Sequence, residues 1–210
     1  MARALKPHQK LAAADPVMAG LVERLGELSM DTRYRRREKR DAYGTLLGSV
    51  VSQQLSTKAA RTIYNRVLEL FGGHTPTPAE LLAADPADLR ACGLSGRKVE
   101  YVRDLAAHVE SGELELDRLG ELSDDEVIAE ITAVRGFGVW SAHMFLMFFL
   151  ERPDVLPVGD LGIRRGVQLA YGLDELPAPA ELEEIAEPWR PHRTLACVYL
   201  WESLQNVPVS

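Results

Sequence analysis

Residues 134–150 read Val134-Arg135-Gly136-Phe137-Gly138-Val139-Trp140-Ser141-Ala142-His143-Met144-Phe145-Leu146-Met147-Phe148-Phe149-Leu150. From Val139 to Leu150 the run is apolar on nearly every side of a helix, which predicts a central helix buried all round. Ahead of it, the Gly136-x-Gly138 spacing predicts a tight turn between two helices, where glycine permits positive φ and close approach of another segment. The amides of Gly136, Gly138 and Trp140 have no intrahelical partner at such a helix start and suit a phosphate oxygen. A lone Gly-x-Gly is equally the plain end of one helix before the next.

Working outward, the punctuation marks one helix after another. Asp15-Pro16 and Asp85-Pro86 each place a capping side chain before a proline at the first helical position. Thr77-Pro78-Ala79-Glu80 and Ser123-Asp124-Asp125-Glu126 fit the reciprocal capping box. Helical patterns follow over about 16–28, 41–53, 57–71, 78–84, 86–91, 96–110, 123–133, 139–150, 160–171, 180–186 and 192–204. No stretch alternates in the manner of a strand, so the expected fold is all-α, with many short helices and room for two lobes.

The 210 residues, 46% hydrophobic and 26% charged, are ordinary for a soluble globular chain. The longest apolar run is too short to span a bilayer, and the N-terminus has no apolar core of a secretion signal. Cys92 and Cys197 are too few for a disulfide framework, a four-cysteine zinc site or an iron–sulfur cluster. A reducing, cytoplasmic setting is expected. The five histidines (His8, His74, His108, His143 and His192) show no metal-ligand spacing.

A net charge of −7 at first argues against a nucleic-acid partner, but the charge is unevenly spread. Segments 104–130 and 174–187 hold 16 acids against Arg118 alone; without them the chain keeps 15 acids and 23 bases. The basic stretch 33–40 (Arg33, Arg35, Arg36, Arg37, Lys39, Arg40) is the densest, which allows one cationic face on an acidic protein.

About twenty residues past the hairpin comes Leu156-Pro157-Val158-Gly159-Asp160-Leu161-Gly162. Hairpin, spacing and Pro-Val-Gly-Asp together resemble the helix-hairpin-helix (HhH-GPD) DNA glycosylases. Leu46-Leu47-Gly48-Ser49-Val50-Val51-Ser52-Gln53-Gln54-Leu55-Ser56 resembles another block of that family. So does Cys92-Gly93-Leu94-Ser95-Gly96-Arg97-Lys98 with Tyr101-Val102-Arg103-Asp104. The likeness runs over about residues 41–204, with 1–40 as a helical, basic segment packed on the core and 205–210 as a tail. It implies two helical lobes with the active-site cleft between them. Bifunctional members carry a lysine where this chain has Trp140, so Schiff-base chemistry is not implied. Tryptophan there is similar to the alkylation-repair branch, the DNA-3-methyladenine glycosylase II (AlkA) type, in a short form without its N-terminal β-rich extension.

The resemblance implies the following roles. Asp160 is the carboxylate facing the sugar, or, read from the residue alone, an N-cap. Trp140 and Trp201 are pocket aromatics, and Met144 stands where the family has a tyrosine. His143 lines the pocket or is a satisfied core residue. Gln54 and Leu55 form the wedge that fills the space left by an extruded base. Arg61, Arg97, Lys98, Arg164 and Arg165 join the basic stretch as candidates for backbone contacts. No cofactor is required, although the carbonyls of Thr132, Val134 and Phe137 match those that hold a monovalent cation (Na+ or K+) in relatives. The expected partner is double-stranded DNA with alkylated bases, for a monomer that works at the nucleoid. Two alternatives stay open: a non-catalytic module for distorted DNA, and a glycosylase for deaminated bases.

Overall fold

The computed structural model describes residues 4–29 and 40–205; basic residues 33–39 and the tail from 206 onward lie outside the described residues. Among the described residues the chain is helical, with no strand and no helix long and apolar enough to cross a membrane. In order the helices are α1 (Pro7–Ala14), α2 (Pro16–Leu25), α3 (Ala42–Ser52), α4 (Thr57–Leu70), α5 (Pro78–Ala83), α6 (Pro86–Ala91), α7 (Gly96–Ser111), α8 (Asp124–Ala133), α9 (Val139–Phe148), α10 (Leu161–Tyr171), α11 (Pro179–Ile185) and α12 (Arg193–Gln205). Short 3-10 turns occupy Leu116–Arg118 and Glu187–Trp189.

The expected caps are formed. Asp15 accepts from Val17 N and Met18 N, Asp85 from Ala87 N, and both capping boxes close, at Thr77–Glu80 and Ser123–Glu126. Helix α1 was not expected as a separate element. It is short, only Leu11 is fully buried, and its start rests on the Lys6 amide donating to Gln9 Oε1 at 2.9 Å. Helix α9 departs from the all-round burial expected of it. Ala142, Phe145, Leu146 and Met147 are buried, but Val139 and Trp140 are half-exposed at 52% and 50%.

The chain divides into two compact units, Met1–Glu38 with Leu146–Ser210, and Lys39–Phe145. In the first, α12 is the core helix. Thr194 through Leu200 are buried in succession, and Glu202 and Ser203 with them. Gly166 lets α10 come against it, because a Cβ there would sit 3.0 Å from Leu200 Cβ and 3.1 Å from Leu200 O. Tyr199 Oη donates to Gly26 O at 2.8 Å and accepts from Leu28 N at 3.0 Å, tying down the end of α2. Residues 4–29 are thus part of this unit's packing, rather than an appendage to it.

Asp15 is the polar centre of that packing. Its Oδ1 caps α2, while Oδ2 accepts from Tyr171 Oη at 2.5 Å and from Trp189 Nε1 at 3.2 Å. Trp189 is fully buried and Asp15 nearly so. A buried carboxylate is tolerated only when its lone pairs are taken up in this way. In the second unit, α3 buries Leu46, Leu47, Val50 and Val51, with Val102, Leu105 and Ala106 of α7 buried as completely. Replacing Asp15 with alanine removes the cap and strands the Tyr171 hydroxyl donor, leaving Trp189 Nε1 only Tyr171 Oη, at 3.2 Å. Urea unfolding should show a loss of about 3 kcal/mol or more.

Candidate functional site

Asp160 lies at the start of α10, where its extended backbone (φ −73°, ψ 117°) makes it the N-cap. Its Oδ1 accepts from Ile163 N at 2.8 Å and from Trp201 Nε1 at 3.0 Å. The two readings of this aspartate are therefore compatible: the helix cap fixes the carboxylate, and the indole of α12 braces it. Trp201 in turn packs at a tilt on Phe148, ring centroids 6.0 Å apart. Gly162 makes the contact possible. A Cβ at 162 would come within 3.0 Å of Asp160 Oδ1 and of both Trp201 Cδ1 and Nε1. The glycine stood in the motif, but nothing in the sequence indicated that a tryptophan 39 positions later would need its space.

The hairpin between α8 and α9 is held by Gln53, just past the end of α3, and by side chains of α7. Gly136 has φ +90°, and a Cβ there would overlap the Tyr101 ring. Gly136 O accepts from Gln53 Nε2 at 2.8 Å, and Arg135 N donates to Asp104 Oδ2 at 2.8 Å. Val134 and Phe137, three positions apart, point inward and are buried, so the turn is anchored at both of its ends. Gly138 is exposed, lacks the positive φ expected of it and has open space where a Cβ would go. The amides of Gly136 and Gly138 have no acceptor among the described residues. What comes close at Gly136 is an aromatic ring rather than a second backbone.

One turn into α9, Trp140 is half-exposed, and His143 and Met144 are partly covered. Trp140 and Met144, four apart, share a helix face. Burial pushes the His143 imidazole below its ordinary value, with Asp124 acting weakly the other way. As pH falls below about 6.5 the unfolded chain takes up a proton that folded His143 resists, so stability is full above that pH and drops below it. His143→Gln should remove part of this slope, which for one proton is at most about 1.4 kcal/mol per pH unit, as measured by chemical denaturation between pH 7 and 5.

The block before α4 turns sharply. Gln54 is exposed with φ +57°, and Leu55 beside it is 39% exposed. The basic candidates divide. Arg61 and Arg97 are exposed. Lys98 is not directed outward as expected: its Nζ donates to Val51 O and Gln53 O, each at 2.7 Å. The physical reason is the end of α3, whose carbonyls lack helical partners and attract a cation. Arg164 Nε donates to Pro177 O at 2.9 Å, and Arg165 pairs with Gln168. Arg40, the described end of the basic stretch, lies 3.7 Å over the Tyr64 ring. Gln53, Tyr101 and Asp104 are contributors to the hairpin that went unassigned in the sequence. Gly136→Ala should cost about 2–4 kcal/mol in thermal or urea unfolding. In a Tyr101→Ala background the same change should retain only the φ penalty of about 1 kcal/mol.

Comparison with known proteins agrees with this geometry. The family described as HhH-GPD superfamily base excision DNA repair protein matches residues 47–191. The DNA-3-methyladenine glycosylase 1 of Schizosaccharomyces pombe is 37% identical over 171 residues, spanning 80% of this chain and 75% of that protein. The crystal structure of a DNA-3-methyladenine glycosidase from Bacillus halodurans is similar with a TM-score of 0.84 and 39% identity, covering 96% of this chain and 90% of that one. The S. pombe 3-methyladenine DNA glycosylase in complex with abasic DNA has a TM-score of 0.83 and 34% identity, covering 96% and 97%. With the hairpin, the capped aspartate and the loop before α4 on an all-helical frame, the chain belongs to the HhH-GPD superfamily of base excision DNA repair proteins.

Proposed function

We propose that this protein is a monofunctional DNA glycosylase that extrudes alkylated bases, of the 3-methyladenine and 7-methylguanine type, and hydrolyses the N-glycosidic bond. The observation that carries this reading is the Asp160 carboxylate, fixed by the Ile163 amide and the Trp201 indole. The names of the relatives support the substrate class. The abasic DNA bound by the S. pombe enzyme supports DNA as partner.

The chemistry follows from the base. An N3-methylated adenine or N7-methylated guanine is cationic as a nucleoside, so it departs with the bonding pair and becomes neutral. No strong general acid is needed. What needs stabilising is the sugar, which turns oxocarbenium-like, and a fixed carboxylate supplies the opposite charge. The same group orients the water that attacks C1′ and takes up its proton. The exposed face of Trp140 suits stacking on an electron-poor base, worth about 0.5–2 kcal/mol per cation–π contact. With tryptophan rather than lysine at 140, no Schiff base forms there and no lyase step follows. Methionine at 144 adapts its shape more readily than an aromatic would, which favours a broad range of bases.

The amides of Gly136 and Gly138 donate to a DNA phosphate, alongside that of Trp140 at the start of α9. The carbonyls of Thr132, Val134 and Phe137 would hold a monovalent cation beside it, as the family resemblance implies. Val134 O already accepts from Phe137 N at 3.2 Å, and retains a second lone pair. Such an ion would add positive charge next to the phosphate. Arg61 and Arg97, both exposed, suit contacts to the DNA backbone.

Asp160→Asn isolates the charge, because asparagine is also a good N-cap and keeps an oxygen for both bonds. Chromatography of bases freed from methylated duplex DNA should show release by the wild type and a fall of about a hundredfold or more in the variant. Binding to abasic-site DNA should be largely retained. Equal release by both proteins would overturn the role of Asp160. Release of hypoxanthine or uracil but no methylated purine would favour the deaminated-base reading; binding without release of any base would favour a non-catalytic module.

A further inference from the structure

The face of α7 that carries Lys98, Tyr101, Asp104 and His108 recurs every three or four residues, so the four side chains lie in one line. Three of them reach elements assigned above to DNA. Tyr101 fills the space under Gly136, Asp104 takes the Arg135 amide, and Lys98 reaches the end of α3. His108 Nδ1 lies 2.8 Å from Asp104 O and 3.4 Å from Asp104 Oδ2, bracing that carboxylate from the next turn.

Lys98 spends two of its three N–H groups on Val51 O and Gln53 O. Those carbonyls end α3, and the chain turns at once into Gln54 at φ +57° and exposed Leu55. A non-glycine residue in the left-handed region persists only where its surroundings over-determine it. Here they do. Gln53 is held below by Lys98 through its carbonyl and sideways by Gly136 through its side chain. Leu55 N donates to Ser52 O at 3.2 Å, and Ser56 caps α4 through Ala59 N at 3.3 Å. Burial lowers the Lys98 pKa, as expected for an ammonium drawn off the surface.

We infer that Lys98 is a positioning residue for the wedge, its ammonium fixing the Gln53–Leu55 turn in register with the hairpin rather than binding a DNA phosphate. The inference rests on the glycosylase reading for the wedge's task. It makes the wedge a preformed feature: Gln54 and Leu55 enter the duplex without first being ordered, and the ordering cost is met in folding.

The test uses Lys98→Met and, in case that variant does not fold, Lys98→Gln, which is uncharged but retains a donor. Amide exchange over residues 52–56 should be at least tenfold faster in Lys98→Met than in wild type, with smaller acceleration in Lys98→Gln. Binding to abasic-site duplex, followed by anisotropy against salt, should keep the wild-type slope. Release of methylated base in single turnover at saturating enzyme should slow at least tenfold in Lys98→Met. A phosphate contact predicts the opposite: a slope shallower by about 0.9. A shallower slope, with or without slower release, would overturn the assignment, and so would unchanged exchange. If wild type releases no methylated base while exchange still responds to the variants, the failure is that of the glycosylase reading and the positioning role stands.

Discussion

Tyr101 places its ring where a Cβ on residue 136 would lie, and the turn between α8 and α9 closes over that ring at a φ only glycine adopts without strain. Much of the hairpin's geometry follows from this contact. It sets the height of the hairpin above α7, and so the reach of Asp104 to the Arg135 amide and of Gln53 to the Gly136 carbonyl. It also turns Val134 and Phe137 into the core and leaves Arg135 and Gly138 outside. A hairpin fixed on both flanks presents its amides without further ordering, which is the condition for a backbone site to bind an anion well.

The first unit solves a different problem by similar means. The Asp160 carboxylate is placed at a helix start, where the bond from the Ile163 amide fixes one of its oxygens. The indole of Trp201 takes the same oxygen, and Gly162 leaves room for it. Burial is reserved for another aspartate, Asp15, which sits among four donors and does only structural work. Two N-cap aspartates in one unit thus differ in setting: one is buried among its donors and the other is only half-covered.

Charge and burial are poorly read from residue type alone. Helix α12, with Thr194, Glu202 and Ser203 in its sequence, is more completely buried than the apolar α9. Its hydroxyls find partners close by: Thr194 Oγ1 donates to Arg152 O at 2.7 Å and accepts from Val155 N at 3.0 Å, and Ser203 Oγ donates to Leu200 O at 2.7 Å. Satisfied in this way, such groups enter a core at little cost. Helix α9 begins at the surface instead, just past the hairpin, and exposes Val139 and Trp140 there.

Sequence by itself determined the all-helical class, most helix boundaries to within a few residues, the caps at Asp15, Asp85, Thr77 and Ser123, and Asp160 at the start of α10. These are short-range properties: a cap and its amides lie within three residues of one another, and a hairpin glycine is visible as a glycine. Tertiary structure alone decided which side chains meet across the chain. That Trp201 reaches Asp160, that Tyr101 lies under Gly136, and that Lys98 turns inward to α3 are contacts between residues 35 to 47 positions apart. No local pattern encodes them. A lysine beside an arginine reads as a surface cation until packing brings the carbonyls at the end of another helix within its reach, and those carbonyls then take two of its N–H groups.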